Sequence, residues 1–166
     1  GEDPHGFMGA QIVGQDYKSL VAAVATGDKG AKANRQLGKV ANLSLQYRTS
    51  AGKLRSVARV QYDIPMELYQ AKQIRETYLQ SYPGVPEYWN EQITVCSRQQ
   101  YVETFGGRRV RLLESFTGDF GWSVASTAIN YRIQGTGADQ KYLALATLRP
   151  YMVKHGILFA WELHDG

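Results

Sequence analysis

The stretch NRQLGKVANLSLQYR, residues 34–48, repeats a charged or large apolar side chain at every fourth position: Arg35, Lys39, Leu43 and Tyr47. In an α-helix, each step of four residues advances around the axis by about 40°, so these side chains would form a slowly turning stripe about 18 Å long. The stripe is cationic at one end and apolar and aromatic at the other. The spacing therefore predicts a helix with two chemically different ends.

Two interpretations of this stripe stay open at the level of spacing. Arginine and lysine donate charge-assisted hydrogen bonds to phosphate oxygens, and tyrosine offers a face for stacking, so the stripe has the polarity of a nucleoside triphosphate. The ordinary alternative is a basic, solvent-facing rim above a buried Leu43 and Tyr47. Spacing alone favours the ordinary alternative, because such stripes are common.

The composition is that of one globular domain. The chain has 166 residues, of which 43% are hydrophobic and 20% are charged, and at this length folding can bury roughly 70% of the surface of the unfolded chain. No apolar run approaches the 18 or so residues that a membrane helix needs, so we expect no membrane partner. Cys96 is the single cysteine, which excludes an internal disulfide and a cysteine-rich zinc site. An intracellular setting fits these features.

Helix signals cover most of the first half of the chain. Asp16 can cap a helix that Gly27 ends, and the next helix is expected to start near Ala31 and to contain the opening stretch. Residues 51–62 have helical spacing. Asp63, followed by a proline, marks a new start. The first half is therefore predicted to be a series of short helices.

Two further helices and one long one are predicted after this point. Residues 66–81 carry apolar side chains at steps of three and four that should face a core: Leu68, Ala71, Ile74 and Tyr78. A helix is expected from about residue 86 to residue 99, after a break rich in proline and glycine. Residues 122–155 look mostly helical, with glycines at 135 and 137 marking a bend.

Two segments carry β signals. In QYVETFGGRRVRL, residues 100–112, β-forming residues flank Gly106-Gly107 and predict a hairpin. The ending GILFAWELHDG, residues 156–166, reads as a strand followed by an Asp-Gly turn, so we infer that a second strand and a longer protein follow. The predicted fold class is mostly α (α+β), with a small hairpin and a C-terminal strand.

Six segments, in order, resemble motifs of the family A DNA polymerases, the group of bacterial DNA polymerase I. The opening stretch is similar to the Arg-x-x-x-Lys-x-x-x-Phe/Tyr-x-x-x-Tyr signature of the fingers helix, matched at Arg35, Lys39 and Tyr47. The other segments are DPH (3–5), SYPGVPEYW (81–89), YVETFGGRRVRL (101–112), NYRIQGTGAD (130–139) and HDG (164–166). The resemblance implies that residues 1–155 form the fingers subdomain and residues 156–166 the first strand and turn of a palm metal motif.

The resemblance implies a site for the incoming dNTP. His5, Arg35 and Lys39 would hold its triphosphate, and Lys39 is also a candidate catalytic proton donor to the leaving pyrophosphate. Leu43 would pack on the sugar and base, and Tyr47 would lie at the base-pair pocket. Most relatives have Phe or Tyr where this chain has Leu43. Because some viral members also carry Leu there, the resemblance allows a phage or viral origin.

The resemblance also implies contacts with template-primer DNA. Arg108 and Arg109 would lie near the DNA backbone, where they would give salt-dependent and sequence-independent affinity. Asn130, Gln134 and His164 match residues that contact primer or template in the minor groove. Each keeps an ordinary alternative, such as a solvated hairpin tip for the arginines or a polar helical face for Asn130 and Gln134.

Asp165 matches one of the two aspartates that hold a pair of Mg²⁺ ions for nucleotidyl transfer. The ordinary alternative is a turn residue of an Asp-Gly hairpin. The family's other metal-binding aspartate lies in a palm motif upstream of residue 3, so the isolated chain is predicted to be inactive without the missing palm and thumb. Gly166 departs from the family's His-Asp-Glu pattern. The alternatives are a fragment of a single-subunit RNA polymerase and a non-catalytic module that binds nucleotides or nucleic acid.

Overall fold

The computed structural model describes residues 2–112, 116–118 and 121–159. Within these residues the chain is mostly helical, with seven helices and one two-stranded antiparallel hairpin, which confirms the predicted fold class. Two compact units divide the chain: the N-terminal unit ends at Val95 and the C-terminal unit begins at Cys96. None of the helices in the described part is long and apolar enough to cross a membrane.

The elements are α1 (Pro4–Val13), α2 (Tyr17–Ala25), α3 (Lys29–Leu45), α4 (Ala51–Tyr62), α5 (Leu68–Ser81), α6 (Gly84–Gln99), β1 (Tyr101–Glu103), β2 (Arg109–Arg111) and α7 (Gly121–Lys154). The unit boundary falls within α6.

Aspartate caps set where the first three helices begin. The side chains of Asp3, Asp16 and Asp28 each accept a hydrogen bond from a backbone N–H in the first turn of the helix that follows. Such a bond satisfies one of the amides that has no partner inside the helix. The prediction for Asp16 is confirmed. Because Asp28 caps α3, this helix begins at Lys29, two residues before the predicted start.

The predicted stripe of the opening stretch is wrong at its last member. Helix α3 ends at Leu45 with Gln46 as its C-cap, and Arg48 has a φ of 65° in the left-handed region, which an α-helix cannot contain. Tyr47 therefore lies in the turn after the helix. Arg35, Lys39 and Leu43 remain on α3, one turn apart.

Two other predicted helix starts shift by two residues. Glu67 forms a capping box in which its backbone N–H donates to the Gln70 side chain at 2.7 Å, so α5 begins at Leu68 and not at residue 66. Leu68 is 39% exposed, whereas the other three members of its predicted apolar stripe are buried as expected. Helix α6 begins at Gly84, two residues before the predicted start, and so includes Pro86 in its first turn.

The core of the N-terminal unit forms where α1 crosses α3. The helices approach most closely at Gly9 and Gly38: a Cβ atom at Gly38 would lie 2.2 Å from the carbonyl oxygen of His5 and 2.3 Å from the amide nitrogen of Gly9. Around this crossing, α4 and α5 add buried side chains, and the core comprises Met8, Val40, Ala41, Leu45, Leu54, Ala58, Ala71, Ile74 and Tyr78. The crossing fixes the first turn of α1 against the middle of α3.

The C-terminal unit packs the hairpin on α7. The strands pair Tyr101 with Arg111, Val102 with Val110 and Glu103 with Arg109, as predicted from the residues around the two glycines. Alternation along the strands buries Val102 and leaves the arginines exposed. The core of this unit comprises Cys96, Val102, Leu112, Val124 and Ala128. Helix α7 is continuous through Gly135 and Gly137.

The predicted C-terminal strand falls largely outside the described residues. Residues 157–159 are described and are neither helix nor strand, and residues 160–166 are not described. The division at residue 155 into fingers and palm thus stays a prediction.

Candidate functional site

The first turn of α1 brings His5 beside the cations of α3. Burial lowers the pKa of His5, the positive charges of Arg35 and Lys39 lower it further, and the carboxylate of Asp3 opposes this effect. The charges of Arg35 and Lys39 on α3 therefore act on the His5 ring at the start of α1. The fold thus links His5 electrostatically with two residues that lie 30 and 34 positions after it in the sequence.

Asp3 holds Arg35 in a two-pronged ion pair. Arg35 Nε donates to Asp3 Oδ2 at 2.6 Å, and Arg35 Nη2 donates to Asp3 Oδ1 at 3.2 Å. Burial by itself would raise the pKa of Asp3, but the hydrogen bonds from Arg35 and from the backbone of Gly6 outweigh it and hold this pKa below its ordinary value. Sequence analysis missed this role of Asp3, although its place directly before Pro4 is a capping signal.

Asn42, another residue that sequence analysis missed, ties α3 to the start of α1. Its Nδ2 donates to the carbonyl oxygen of Pro4 at 2.9 Å and lies 3.2 Å from Nδ1 of His5. Asn42 is on α3, three residues after Lys39 and next to Leu43. Its amide therefore fixes the His5 ring beside the cationic part of the helix.

An open groove of about 290 Å³ adjoins this cluster. It is lined by Pro4, His5, Asn42, Leu43, Gln46, Tyr78, Tyr82 and Val85. Leu43 is 42% exposed, so the alternative in which Leu43 is buried beneath a basic rim is wrong. The charged cluster and the apolar groove meet at His5, which gives the surface the two chemically different ends predicted for the stripe.

Two tyrosines form the wall of the groove opposite Leu43's helix. Burial raises the pKa of Tyr78 to about 12, and Tyr82 and Tyr47 add to the effect. Burial also raises the pKa of Tyr82, against a hydrogen bond with Asn42. The rings of Tyr78 and Tyr82 pack edge to face with centroids 5.1 Å apart. Both phenols are therefore neutral near pH 7.

Tyr47 does not share the helix that carries the cations of the stripe. It follows α3 in a turn, is partly buried, and acts on the titration of Tyr78. Its role at a base-pair pocket stays a prediction.

In the C-terminal unit, Arg108 fastens the hairpin to α7. Its Nε donates to Asp139 Oδ1 at 2.6 Å, its Nη2 donates to the carbonyl oxygen of Gly135 at 3.1 Å, and its Nη1 donates to the hydroxyl of Tyr131. Thr104 Oγ1 also donates to Asp139, and hydrogen bonds from Thr104 and Arg108 lower the pKa of Asp139. All three nitrogens of the Arg108 guanidinium thus have partners inside the unit.

Arg109 points to the opposite face of the hairpin from the core. It pairs with Glu103 on the neighbouring strand and its guanidinium lies 4.7 Å from the centroid of the Tyr101 ring. The Arg109 side chain is 62% exposed and remains accessible from solvent. The adjacent arginines predicted to meet the DNA backbone therefore have different surroundings.

The predicted minor-groove residues are only partly described. Asn130 and Gln134 lie one turn apart on α7, and the Oδ1 of Asn130 is buried without a hydrogen-bond partner among the described residues. A buried acceptor in this state carries a free-energy cost of about 1 to 3 kcal/mol, which a partner would relieve. His164 and Asp165 lie outside the described residues. Within the described part no group of three or more metal-ligating side chains is present.

The cationic side chains of α3 and the apolar, aromatic groove meet at His5. A family model for DNA polymerase family A matches residues 5–166, so the chain belongs to this family. The family match confirms the family that the sequence predicted.

Relatives and one solved structure agree with this assignment. The chain is 30% identical over 150 residues to DNA polymerase I of Aquifex aeolicus, covering 87% of the chain and 24% of the relative. It is also 30% identical over 167 residues to DNA polymerase I of Deinococcus radiodurans, covering 99% of the chain and 16% of the relative. The chain thus spans a quarter or less of these relatives.

The fold is similar to that of the POL domain of Pol1 from M. smegmatis, solved in complex with DNA primer-template and dNTP. The TM-score is 0.68 at 23% sequence identity, and the match covers 95% of this chain and 26% of that chain. At this identity the match concerns the fold.

Proposed function

We propose that this chain is the fingers part of a family A DNA polymerase and that it binds the incoming dNTP for template-directed nucleotidyl transfer. The observation that carries the proposal is the position of His5, which lines a groove with Leu43 and Tyr82 and lies within the electrostatic influence of Arg35 and Lys39. A nucleoside triphosphate has clustered negative charge at one end and a flat base at the other. Its polarity matches that of this surface.

The cationic end receives the triphosphate. Arg35 and Lys39 donate charge-assisted hydrogen bonds to phosphate oxygens, and Lys39 gives a proton to the leaving pyrophosphate. The neutral His5 ring adds a directional hydrogen bond. Leu43 packs on the sugar and base, while Tyr47 borders the base-pair pocket. The apolar lining of the groove beside Leu43 supports a contact with the base by burial of nonpolar surface.

Template-primer DNA lies along the C-terminal unit in this proposal. Arg109 is exposed and suited to a phosphate contact, whereas Arg108 serves chiefly to hold the hairpin that presents Arg109. Asn130, Gln134 and His164 contact the primer or template in the minor groove. The palm and thumb of the same polymerase complete the DNA site.

Magnesium belongs to the proposal through Asp165. Mg²⁺ would activate the primer 3′-hydroxyl and stabilise in-line displacement when held by Asp165 and carboxylates of the palm. Replacement of an aromatic residue by Leu43 supports a phage-like origin, and the proposed location is a bacterial cytoplasm or a phage-infected cell. The finer assignments rest on the family resemblance.

Titration of the chain with a dNTP tests the phosphate contact. We expect Lys39→Ala to weaken dNTP binding by about tenfold or more, because a charge-assisted hydrogen bond is lost. Lys53→Ala is the matched control, since Lys53 is an exposed lysine of the same unit on α4. Isothermal titration calorimetry at fixed ionic strength measures both. Equal affinity of wild type and Lys39→Ala would remove the proposed phosphate site.

A further inference from the structure

Asp3 makes contacts with two of the three basic residues of the cluster. Its Oδ2 accepts from Arg35 Nε at 2.6 Å, and its Oδ1 accepts from Arg35 Nη2 at 3.2 Å and from the backbone N–H of His5 at 3.1 Å. The same carboxylate therefore holds one guanidinium and caps the turn that carries the imidazole. The backbone N–H of Asp3 in turn donates to the hydroxyl of Tyr17 at 2.8 Å, which anchors Asp3 to α2.

We propose that Asp3 is a positioning residue for triphosphate binding, acting through Arg35; this inference rests on the proposed function and names a residue that it does not use. The pair occupies Nε and one N–H of Nη2 of Arg35. A guanidinium has five N–H donors, so three remain, and two of them, one on each Nη, lie together on an edge that Asp3 does not occupy. This edge can donate two parallel hydrogen bonds to phosphate oxygens while the two hydrogen bonds from Arg35 to Asp3 remain in place.

The energetic benefit comes from ordering Arg35 before the ligand arrives. A free arginine side chain is rich in rotamers and loses them on binding, which weakens affinity. In this protein the side chain is already fixed at 37% exposure by the fork to Asp3. The negative charge of Asp3 also repels a triphosphate. If Asp3 mainly orders Arg35, removal of its charge weakens binding, whereas if it mainly competes with phosphate for Arg35, removal strengthens binding.

The caps of neighbouring helices supply a matched control. Asp16 caps α2 as Asp3 caps α1, and its side chain contacts the N–H and hydroxyl of Ser19. Asparagine is as good an N-cap as aspartate, so Asp3→Asn and Asp16→Asn both keep a cap and both remove one negative charge from the same unit. Only Asp3→Asn removes the charged fork to Arg35.

The experiment is a double-mutant cycle on the 166-residue chain, with dTTP and inorganic tripolyphosphate as probes. We expect Asp3→Asn to weaken binding of both probes by about three- to tenfold, which corresponds to one side chain that must be ordered on binding. Asp16→Asn should stay within about twofold of wild type, with both variants matching wild type in circular dichroism. In an Arg35→Ala background, Asp3→Asn should have no further effect on affinity, because Asp3 acts on the triphosphate only by ordering Arg35.

A readout on Arg35 itself separates positioning from general stability. In ¹H–¹⁵N spectra, the Nε–H resonance of Arg35 should shift in Asp3→Asn and remain unchanged in Asp16→Asn. Equal or tighter binding by Asp3→Asn would overturn the inference, and so would a loss of affinity that persists in the Arg35→Ala background. If Arg35→Ala and Lys39→Ala both bind like wild type, the proposed function fails as well; if they lose binding while Asp3→Asn does not, the inference alone fails.

Discussion

At the scale of single residues, the cluster around His5 shows how environment sets chemistry. His5 is partly buried and lies near two cations, so its pKa falls below its ordinary value of 6.5 and the neutral ring is favoured at pH 7. A neutral imidazole can direct a hydrogen bond without adding charge to a surface that already carries Arg35 and Lys39. Sequence alone identifies the residue, whereas its charge state depends on contacts across α1 and α3.

The lowered pKa of His5 predicts a pH-dependent part of the stability. The unfolded chain takes up a proton at His5 near pH 6.5, and the folded chain does so only at lower pH. Between these two values the unfolded state binds more protons, so folding free energy is lost as the pH falls below about 6.5. We expect the drop in Tm between about pH 7.5 and about pH 5 to be smaller in His5→Gln than in wild type.

Differential scanning calorimetry over this pH range measures the effect. His155→Gln is the control, because the ring of His155 is exposed and belongs to the other unit. An unchanged pH dependence in His5→Gln, or an equal change in both variants, would contradict the prediction.

At the scale of elements, the crossing of α1 and α3 builds the site. Backbone atoms of His5 and Gly9 lie so close to Gly38 that no side chain fits between the helices. This contact holds the first turn of α1, with His5, at the level of Lys39 and Asn42. The opening stretch therefore contributes both Gly38, which permits the close approach of the helices, and the cations Arg35 and Lys39, which lie on the same helix.

Gly38→Ala should destabilise the N-terminal unit. Its new methyl group would meet backbone atoms at 2.2 and 2.3 Å, and backbone cannot give way as a flexible side chain can. We expect a loss of about 3 kcal/mol in the free energy of unfolding, the upper part of the usual range for overpacking. Alanine's better helix propensity, about 1 kcal/mol, does not compensate.

Urea unfolding followed by circular dichroism measures this loss. Gly52→Ala in α4 is the matched control, because a Cβ there meets no atom within 4 Å, and it should be neutral or slightly stabilising. Equal stability of Gly38→Ala and Gly52→Ala would show that the helices do not approach as closely as described.

At the scale of the whole molecule, the chain is two compact units that each carry part of the proposed function. The N-terminal unit has the cationic cluster and groove, and the C-terminal unit has the hairpin and α7 with Arg109 and Asn130. The relatives from Aquifex aeolicus and Deinococcus radiodurans are each at least four times as long as the segment that matches this chain. These 166 residues therefore correspond to a quarter or less of each of these relatives.

The isolated 166-residue chain should bind a dNTP without extending a primer. Two-metal nucleotidyl transfer needs carboxylates that hold both ions, and Asp165 is the single residue that the resemblance assigns to them. A primer-extension assay with Mg²⁺ and all four dNTPs measures this, with a complete bacterial DNA polymerase I as positive control. Extension that is lost in both Asp165→Ala and Lys39→Ala would contradict the prediction, whereas extension that survives both substitutions would come from a contaminating enzyme.

Much of the fold could be predicted because its signals are local. The helix cap at Asp16, the apolar spacing of α5 and the hairpin glycines depend on residues a few positions apart. The predicted bounds of α3 were wrong at both ends. Asp28 caps the helix, so it begins at Lys29, and the left-handed conformation of Arg48 belongs to a turn that already includes Tyr47. The family itself followed from the order of six motifs.

By itself, the sequence determined the helical class, the family and the cationic stripe on α3, because caps, periodicity and motif order are properties of the chain alone. The tertiary structure decided what surrounds the stripe. Asp3 binds Arg35 from a position 32 residues earlier in the chain, and Asn42 of α3 binds the carbonyl oxygen of Pro4, which is 38 residues before it. Tyr82, which follows α5, lines the groove. Only the close packing of α1 on α3, through Gly9 and Gly38, brings such distant groups within reach.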